Sequence, residues 1–463
     1  MENLNIKKNV EGFSISLKLI LIAALILGLL IPSGMILMLI RERKERQAET
    51  INEISSKWAY AQILCGPIIT IPYISRYKEG DKIIETTEYA HFTPQELNIT
   101  GNLMPQRRYR GIYNVVVYRT VLSFKGNFNQ LNLSKWNINE NDVRWNDAFM
   151  SIGIQDMRGI NKKISILWNN NNYDSEPGTK LTNLLQSGIN IKIPVNLSMT
   201  SYQFSFDLDL NGSESLEFIP IGSETNVRLN SSWKNPSFQG SFIPKEKSVN
   251  ESGFNASWKI IELNLNYPNQ WLNDQYKINT KSNLKTPNDN SDALNSAFGV
   301  TLAQSVDIYQ MTERSVKYAI LFLALTFLII FFAEMLMNKR VHAIQYILIG
   351  IALCLFYSLL IALAEYIYFS IAYLIAALTV IGLISVFTKS VFNSIRMAFN
   401  MAAVLTTLYA FLFILLKLED YALLFGNIGL VVIIGLVMYI SQKINWYGDG
   451  NTFTDTINED PAK

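Results

Sequence analysis

The side chains that could do chemistry are few. His91 and His342 are the only imidazoles. On the topology argued below they fall on opposite sides of a membrane, which argues against a histidine-based triad or a multi-histidine metal site. No HExxH, GxSxG, CxxC, P-loop or GxGxxG pattern occurs, so no cofactor is implied. Asp207 and Asp209 stand two apart in a strand-like segment and share a face. Paired carboxylates of that kind could hydrolyse a glycosidic or related bond. The simpler reading is a solvated strand face, because polar residues fill every second position there. Glu334, Glu365 and Asn427 lie in or beside strongly apolar stretches. An ionisable residue inside a membrane is by default a functional candidate, and these three motivate a transporter or channel. Both glutamates sit near helix ends, however, where snorkelling or interhelix pairing serves equally well, and Arg340 is within reach of Glu334. A coupled transporter would place charge nearer the midplane, and neither a broken helix pair nor an inverted repeat is read from the sequence. Cys65 and Cys354 read as buried small hydrophobes. Trp136, Trp145, Trp168, Trp233, Trp258 and Trp271 could stack on sugars or peptides, but packing in a β-rich core accounts for them.

The elements that must position these groups are of two kinds. Of 463 residues, 49% are hydrophobic and 17% charged, with a mean hydropathy of +0.16. Soluble domains carry about a quarter charged residues, so the averages combine two zones. Residues 17–40 form an apolar run long enough to cross a ~30 Å hydrocarbon core, which needs roughly 20 residues. The run exceeds the apolar part of a cleavable signal and ends in Arg41, Glu42, Arg43 and Lys44, which predicts an uncleaved anchor. Pro32 is expected to kink it. Five further spans follow at 318–337, 343–364, 369–388, 397–416 and 421–440. They are apolar on every face, unlike soluble amphipathic helices. With the N-terminus cytoplasmic, Lys18, Lys339, Arg340, Lys389 and Arg396 fall inside and Lys417 outside. The basic cluster after Ile40 lies outside but leads a long segment, and long segments translocate largely regardless of charge. Six spans with both termini on the cytoplasmic side are predicted. Residues 1–16 and 441–463 are then cytoplasmic, 41–317 periplasmic and 318–440 a five-helix bundle.

The periplasmic segment starts as a continuing helix to about Ile63, with an i,i+4 pair between Glu42 and Arg46. Beyond it the pattern switches to period two. Ile189 to Met199 alternates with polar residues, with Pro194 marking an edge or bulge. Phe204, Phe206, Leu208 and Leu210 alternate likewise and lead to Asn211-Gly212, a hairpin signal. Val115 and Val117, then Ile261, Leu263 and Leu265, extend the theme. A mainly antiparallel β-sandwich-like domain is expected, with 264–295 a long loop. The fold class is thus membrane α+β. Lys+Arg total 40 against Asp+Glu 38, a net +2, which argues against a nucleic-acid partner. The bilayer is one partner.

These residues resemble a known family. Lys317-Tyr318-Ala319-Ile320-Leu321, Leu325-Thr326-Phe327, Phe331-Phe332 and Glu334, preceded by Tyr309 and Arg314, resemble the start of the C-terminal bundle of CreD inner-membrane proteins. His342, Gln345-Tyr346, Gly350, Phe356-Tyr357, Ala362-Leu363 and Glu365 continue the likeness, although Ala343 stands where the family often has proline. In the domain, Gly66-Pro67, Ile71-Pro72, Gly111-Ile112-Tyr113, Trp233 with Pro236-Ser237-Phe238, and Glu251-Ser252-Gly253-Phe254 with Trp258 fit as well. The resemblance runs from the anchor to Trp446-Tyr447. It implies a non-enzymatic protein of the bacterial inner membrane, associated with envelope integrity, colicin tolerance and a stress response linked to β-lactams, whose periplasmic domain would meet an envelope protein or a cell-wall component; a transporter or channel, as the alternative, would carry an envelope metabolite. It implies no catalytic residue.

Overall fold

The computed structural model describes residues 2–196, 199–276, 278, 295–302, 308–337, 339, 341–418 and 421–442. The chain divides into two compact units, residues 1–46 with 306–463 and residues 47–305.

The first unit is helical. Helix α1 (Glu2–Trp58) continues through Pro32 and supplies residues to both units. The others are α2 (Ile308–Lys317), α3 (Ala319–Met337), α4 (Ala343–Ala364), α5 (Phe369–Phe392), α6 (Ile395–Lys417) and α7 (Ala422–Ser441). Among the described residues five helices are long and apolar enough to cross a membrane, and the pair α2–α3 makes a sixth candidate. The pair corrects the reading that no broken helix pair is present, because the two helices meet at a bend of 42° at the start of the expected span of 318–337. The change falls at Tyr318, where composition switches. Helix α2 is amphipathic, burying Tyr309, Met311 and Val316 beside the charged Glu313, Arg314 and Lys317, whereas α3 is apolar throughout with Glu334 as its one charge. Helix α1 packs closely on α4 at Gly350, where a Cβ would meet the terminal methyls of Leu29. Ser33 donates to the Leu29 carbonyl at 3.1 Å, and Cys354 sits buried beside both, as a small hydrophobe would. Helix α5 ends on Asn393, left-handed at φ 48°, whose N–H caps the Lys389 carbonyl. Helix α7 has Ala422 as its one buried residue and is otherwise exposed or half-buried, as a lipid-facing helix would be.

The second unit is β-rich. In chain order its strands are β1 (Gln62–Glu79), β2 (Lys82–Phe92), β3 (Glu96–Arg110), β4 (Tyr113–Asn129), β5 (Phe149–Ile154) and β6 (Ser165–Trp168). Next come β7 (Asn171–Asp174), β8 (Glu176–Pro177), β9 (Gly188–Lys192), β10 (Ser201–Ser213), β11 (Ser215–Ile219) and β12 (Glu224–Ser231). The last are β13 (Pro236–Gly240), β14 (Glu246–Asn250), β15 (Gly253–Ile261), β16 (Gln270–Leu272) and β17 (Phe298–Leu302). One sheet runs β13-β17-β11-β1-β5-β9-β8, with β2 and β16 added beside β1. The other runs β14-β15-β12-β3-β4-β10-β6-β7. The sheets are mixed: β1 pairs β11 in parallel, and β12 pairs β3 in parallel. Alternation sets the core. Tyr202, Phe204, Phe206, Leu208 and Leu210 of β10 point inward, and Phe206 stacks on its register partner Phe124 at 4.6 Å. One continuous core takes side chains from both sheets, with Trp168, Trp258 and Trp271 fully buried in it. Trp136, Trp145 and Trp233 are half-buried against its edge.

Several local expectations need correction. Asn211-Gly212 makes no hairpin turn; β10 runs through it, with Asn211 opposite Arg119 and Gly212 opposite Tyr118. Glycine is required there because a Cβ would overlap the Tyr118 ring hydroxyl, which is itself held by the Ser215 carbonyl at 2.7 Å. The chain turns two residues later at Glu214, φ 62°, and passes from one sheet to the other. Strand β9 stops at Lys192, before Pro194, whose carbonyl accepts from the Trp168 indole at 3.0 Å; Leu197 lies outside the described residues. Ile261 ends β15 and Leu263 is exposed in a single 3-10 turn. Within 264–295 a short strand, β16, carries the buried Trp271. Helix α1 ends at Trp58, short of Ile63.

Gly212→Ala should therefore lower the stability of the β unit by about 1–3 kcal/mol, the usual cost of overpacking. A thermal melt of the purified full-length protein checks this, and an unchanged midpoint would contradict the close Tyr118 contact.

Candidate functional site

Glu334 lies in the last turn of α3, only 6% exposed. A buried carboxylate needs its charge and lone pairs satisfied, and three groups do this. The Lys18 ammonium of α1 forms an ion pair with Oε1. The Val341 N–H donates to the same oxygen at 3.0 Å, and the Tyr346 hydroxyl of α4 donates to Oε2 at 3.2 Å. Lys18 also donates to the Val341 carbonyl at 3.3 Å. One carboxylate thus ties α1, the α3–α4 turn and α4 together. His342 in that turn caps α4, accepting from the Ile344 N–H while Gln345 accepts from the His342 N–H. Lys339 of the same turn donates to the Phe392 carbonyl at the end of α5. Arg340, the partner anticipated from sequence, lies outside the described residues.

Glu365 follows the last residue of α4. It accepts from the Tyr309 hydroxyl of α2 at 3.2 Å and pairs with Arg43 of α1 at 3.8 Å. The two glutamates therefore mark opposite ends of α4, about 30 Å apart at ~1.5 Å per residue. Each clamps α1 to α4 and to one member of the α2–α3 pair. Among the described residues no charged side chain lies midway along α3–α7. Asn427 is separate from both clamps: it is exposed on α7. At the centre of the bundle stand Tyr357, Tyr373 and Tyr409, none of which the sequence offered as a functional candidate. Tyr373 of α5 donates to the Tyr409 carbonyl of α6 at 2.7 Å. The hydroxyls of Tyr357 and Tyr409 are buried and find no hydrogen-bond partner among the described residues; they lie among the rings of Phe322 and Phe356.

In the β unit the two aspartates have different surroundings. Asp209 is buried and held bidentately by Arg119 at 2.8 and 2.6 Å, with Asn161 donating at 3.0 Å. The Arg119 hydrogen bonds hold its carboxyl down to about 2. Asp207 is exposed on the same strand face. The pair is thus one structural ion pair and one solvated carboxylate. His91 is 1% exposed, with Nδ1 3.0 Å from Thr70 Oγ1 and its ring against Trp271. Burial pushes its pKa down to about 4. Cys65 is buried, and desolvation pushes its thiol up, away from reactivity. Among the described residues no group of three or more His, Cys, Asp or Glu could hold a metal.

The sequence model of the family described as "Inner membrane protein CreD" matches residues 14–447. The chain is also 32% identical over 429 residues to "Inner membrane protein CreD" of Escherichia coli (strain K12), covering 91% of each. The chain belongs to the CreD family. The match takes in both clamps and the whole β unit of this CreD chain. It also makes the protein a multi-pass inner-membrane protein, in keeping with its apolar helices.

Two outcomes test this geometry. Glu334→Ala should destabilise the protein by roughly 3–5 kcal/mol, because it strands the Lys18 charge and the Val341 N–H. The double change Lys18→Met with Glu334→Met should recover most of that loss, as replacement of a buried pair by apolar side chains often does. Denaturant titration of the detergent-solubilised chain measures the coupling, and additive losses would mean the pair does not act as one. For His91, the folded pKa lies below the unfolded ~6.5, so the unfolded chain takes up the proton first. Stability is full above pH 6.5 and falls towards pH 4. In His91→Gln the slope of melting temperature against pH should flatten over that interval.

Proposed function

We propose that this CreD-family chain is a non-enzymatic envelope-integrity protein that acts in the stress response through its β-sandwich domain, held on the periplasmic side by six spans with both termini cytoplasmic. The observation that carries the reading is the fate of the bundle's carboxylates. Glu334 and Glu365 are both paired with cations and hydrogen-bonded at the ends of α4, which is how a scaffold uses charge. A proton or ion pathway needs a titratable group nearer the midplane. A carboxylate hydrolase fares no better, because Asp209 is committed to Arg119. The orientation rests on Lys18, Lys339, Lys389 and Arg396 clustering at one set of helix ends, with Lys417 at the other.

Two measurements test it. A deletion strain challenged with β-lactams and detergents should be more sensitive than its parent, and the full-length chain should restore resistance. Equal survival under every challenge would sink the role. A periplasm-active phosphatase fused after Trp258 should be active and one fused after Arg340 inactive. The reverse pattern would overturn the orientation.

A further inference from the structure

We propose that the face of the eight-stranded sheet turned away from the core binds an oligosaccharide chain. A groove of about 810 Å³ lies on this face, walled by the β14–β15 edge. Its floor is a grid of side chains aligned by strand register. Asn255 of β15 stands opposite Asn230 of β12, and Asn230 opposite Asn102 of β3. One step along, Ser257, Arg228, Thr100 and Ser123 form the neighbouring row. Each asparagine offers two donors and an acceptor with two lone pairs, and among the described residues Asn102, Asn230, Asn255 and Arg228 spend none of theirs on each other. The next row is different. Asn226 donates to Asn98 at 3.2 Å and to Glu224 at 2.9 Å, and Lys259 pairs with Glu224 at 2.8 Å. The sheet therefore satisfies its own polar groups beside the groove and leaves them open inside it.

The spacing selects the occupant. Rows cross the strands at about 4.8 Å per step, close to the advance of one sugar ring along an extended glycan. An extended peptide laid the same way presents side chains to one face every ~6.7 Å, two residues at about 3.3 Å each, and falls out of phase after one strand. Amide and hydroxyl groups that both donate and accept suit ring hydroxyls and acetamido groups. Arg228 adds a planar fork of donors for adjacent ring oxygens. The few charges in the lining, Arg228, Lys247 and Glu246, nearly cancel, as suits a largely uncharged chain. Glycan binding deepens the envelope reading and rests on it only for where the glycan is met. Its test and the fusion reporters fail independently.

The test is calorimetric titration of the full-length protein in nanodiscs with N-acetylchitotetraose. Saturable binding is expected, weakened at least roughly tenfold by the triple variant Asn102→Ala, Asn230→Ala, Asn255→Ala, since each net hydrogen bond contributes about 1 kcal/mol. These side chains are exposed, so the variant should melt with the wild type. Asn98→Ala with Asn226→Ala, from the self-satisfied row, should bind normally. The proposal is overturned if the tetraose does not saturate, if the triple variant binds it as tightly, if the control pair weakens it equally, or if an extended uncharged peptide binds the groove more tightly.

Discussion

The bundle depends on how a single carboxylate is kept charged away from water. Taking Glu334 out of solvent costs several kcal/mol even after relaxation. What offsets the cost is a set of partners from three directions: an ammonium, a backbone N–H and a tyrosine hydroxyl. None of them can move far without leaving the charge exposed to apolar surroundings. The position of α1 against α4 and the path of the α3–α4 turn follow from that requirement. Glu365 repeats the arrangement with weaker geometry at the other end, where a 3.8 Å ion pair is joined by a tyrosine hydroxyl. Close approach at Gly350 fills the interval between the two.

Legibility in the sequence follows the range of the physics involved. The apolar runs were plain because membrane insertion acts on every residue of a segment at once. Phe204 to Leu210 was plain because one face of a strand is buried. Asn211-Gly212 misled because the local signal of a turn is the same as that of a glycine forced by a tertiary neighbour, here Tyr118. The bend at Tyr318 carries no proline or glycine and shows only as a change from amphipathic to uniformly apolar composition. The partner of Glu334 was out of reach because nothing in a sequence pattern joins residues separated by 316 positions. Parallel pairing of β1 with β11 and of β3 with β12 was hidden for the same reason. The residue types at the site were visible, but their pairings were not.

The two units treat polar groups in opposite ways. In the bundle, charge is sparse, and Glu334 and Glu365 are each held by partners. In the β unit, ion pairs such as Arg119–Asp209 secure positions near the edge of a polar face, while register lines up amides and hydroxyls that have only water to bind. The first treatment fixes helices in a medium that cannot solvate them. The second presents a surface whose hydrogen-bonding capacity is kept for something outside the chain.

The wiring of the strands and helices also sets a timetable. Strand β1 needs β11 beside it, and β11 in turn needs β17, which ends at Leu302. At ribosomal speeds of roughly 5–20 residues per second, the 316 positions between Lys18 and Glu334 amount to roughly 16–60 s of synthesis. During that time α1 is in the bilayer with its lysine lacking the carboxylate that will later hold it. A lysine one residue inside the apolar run can extend to the headgroups and wait. A glutamate arriving late, next to a turn that is made immediately afterwards, finds its cation already in place. The order of the charges along the chain thus lets the Lys18–Glu334 contact close onto a cation that is already in place.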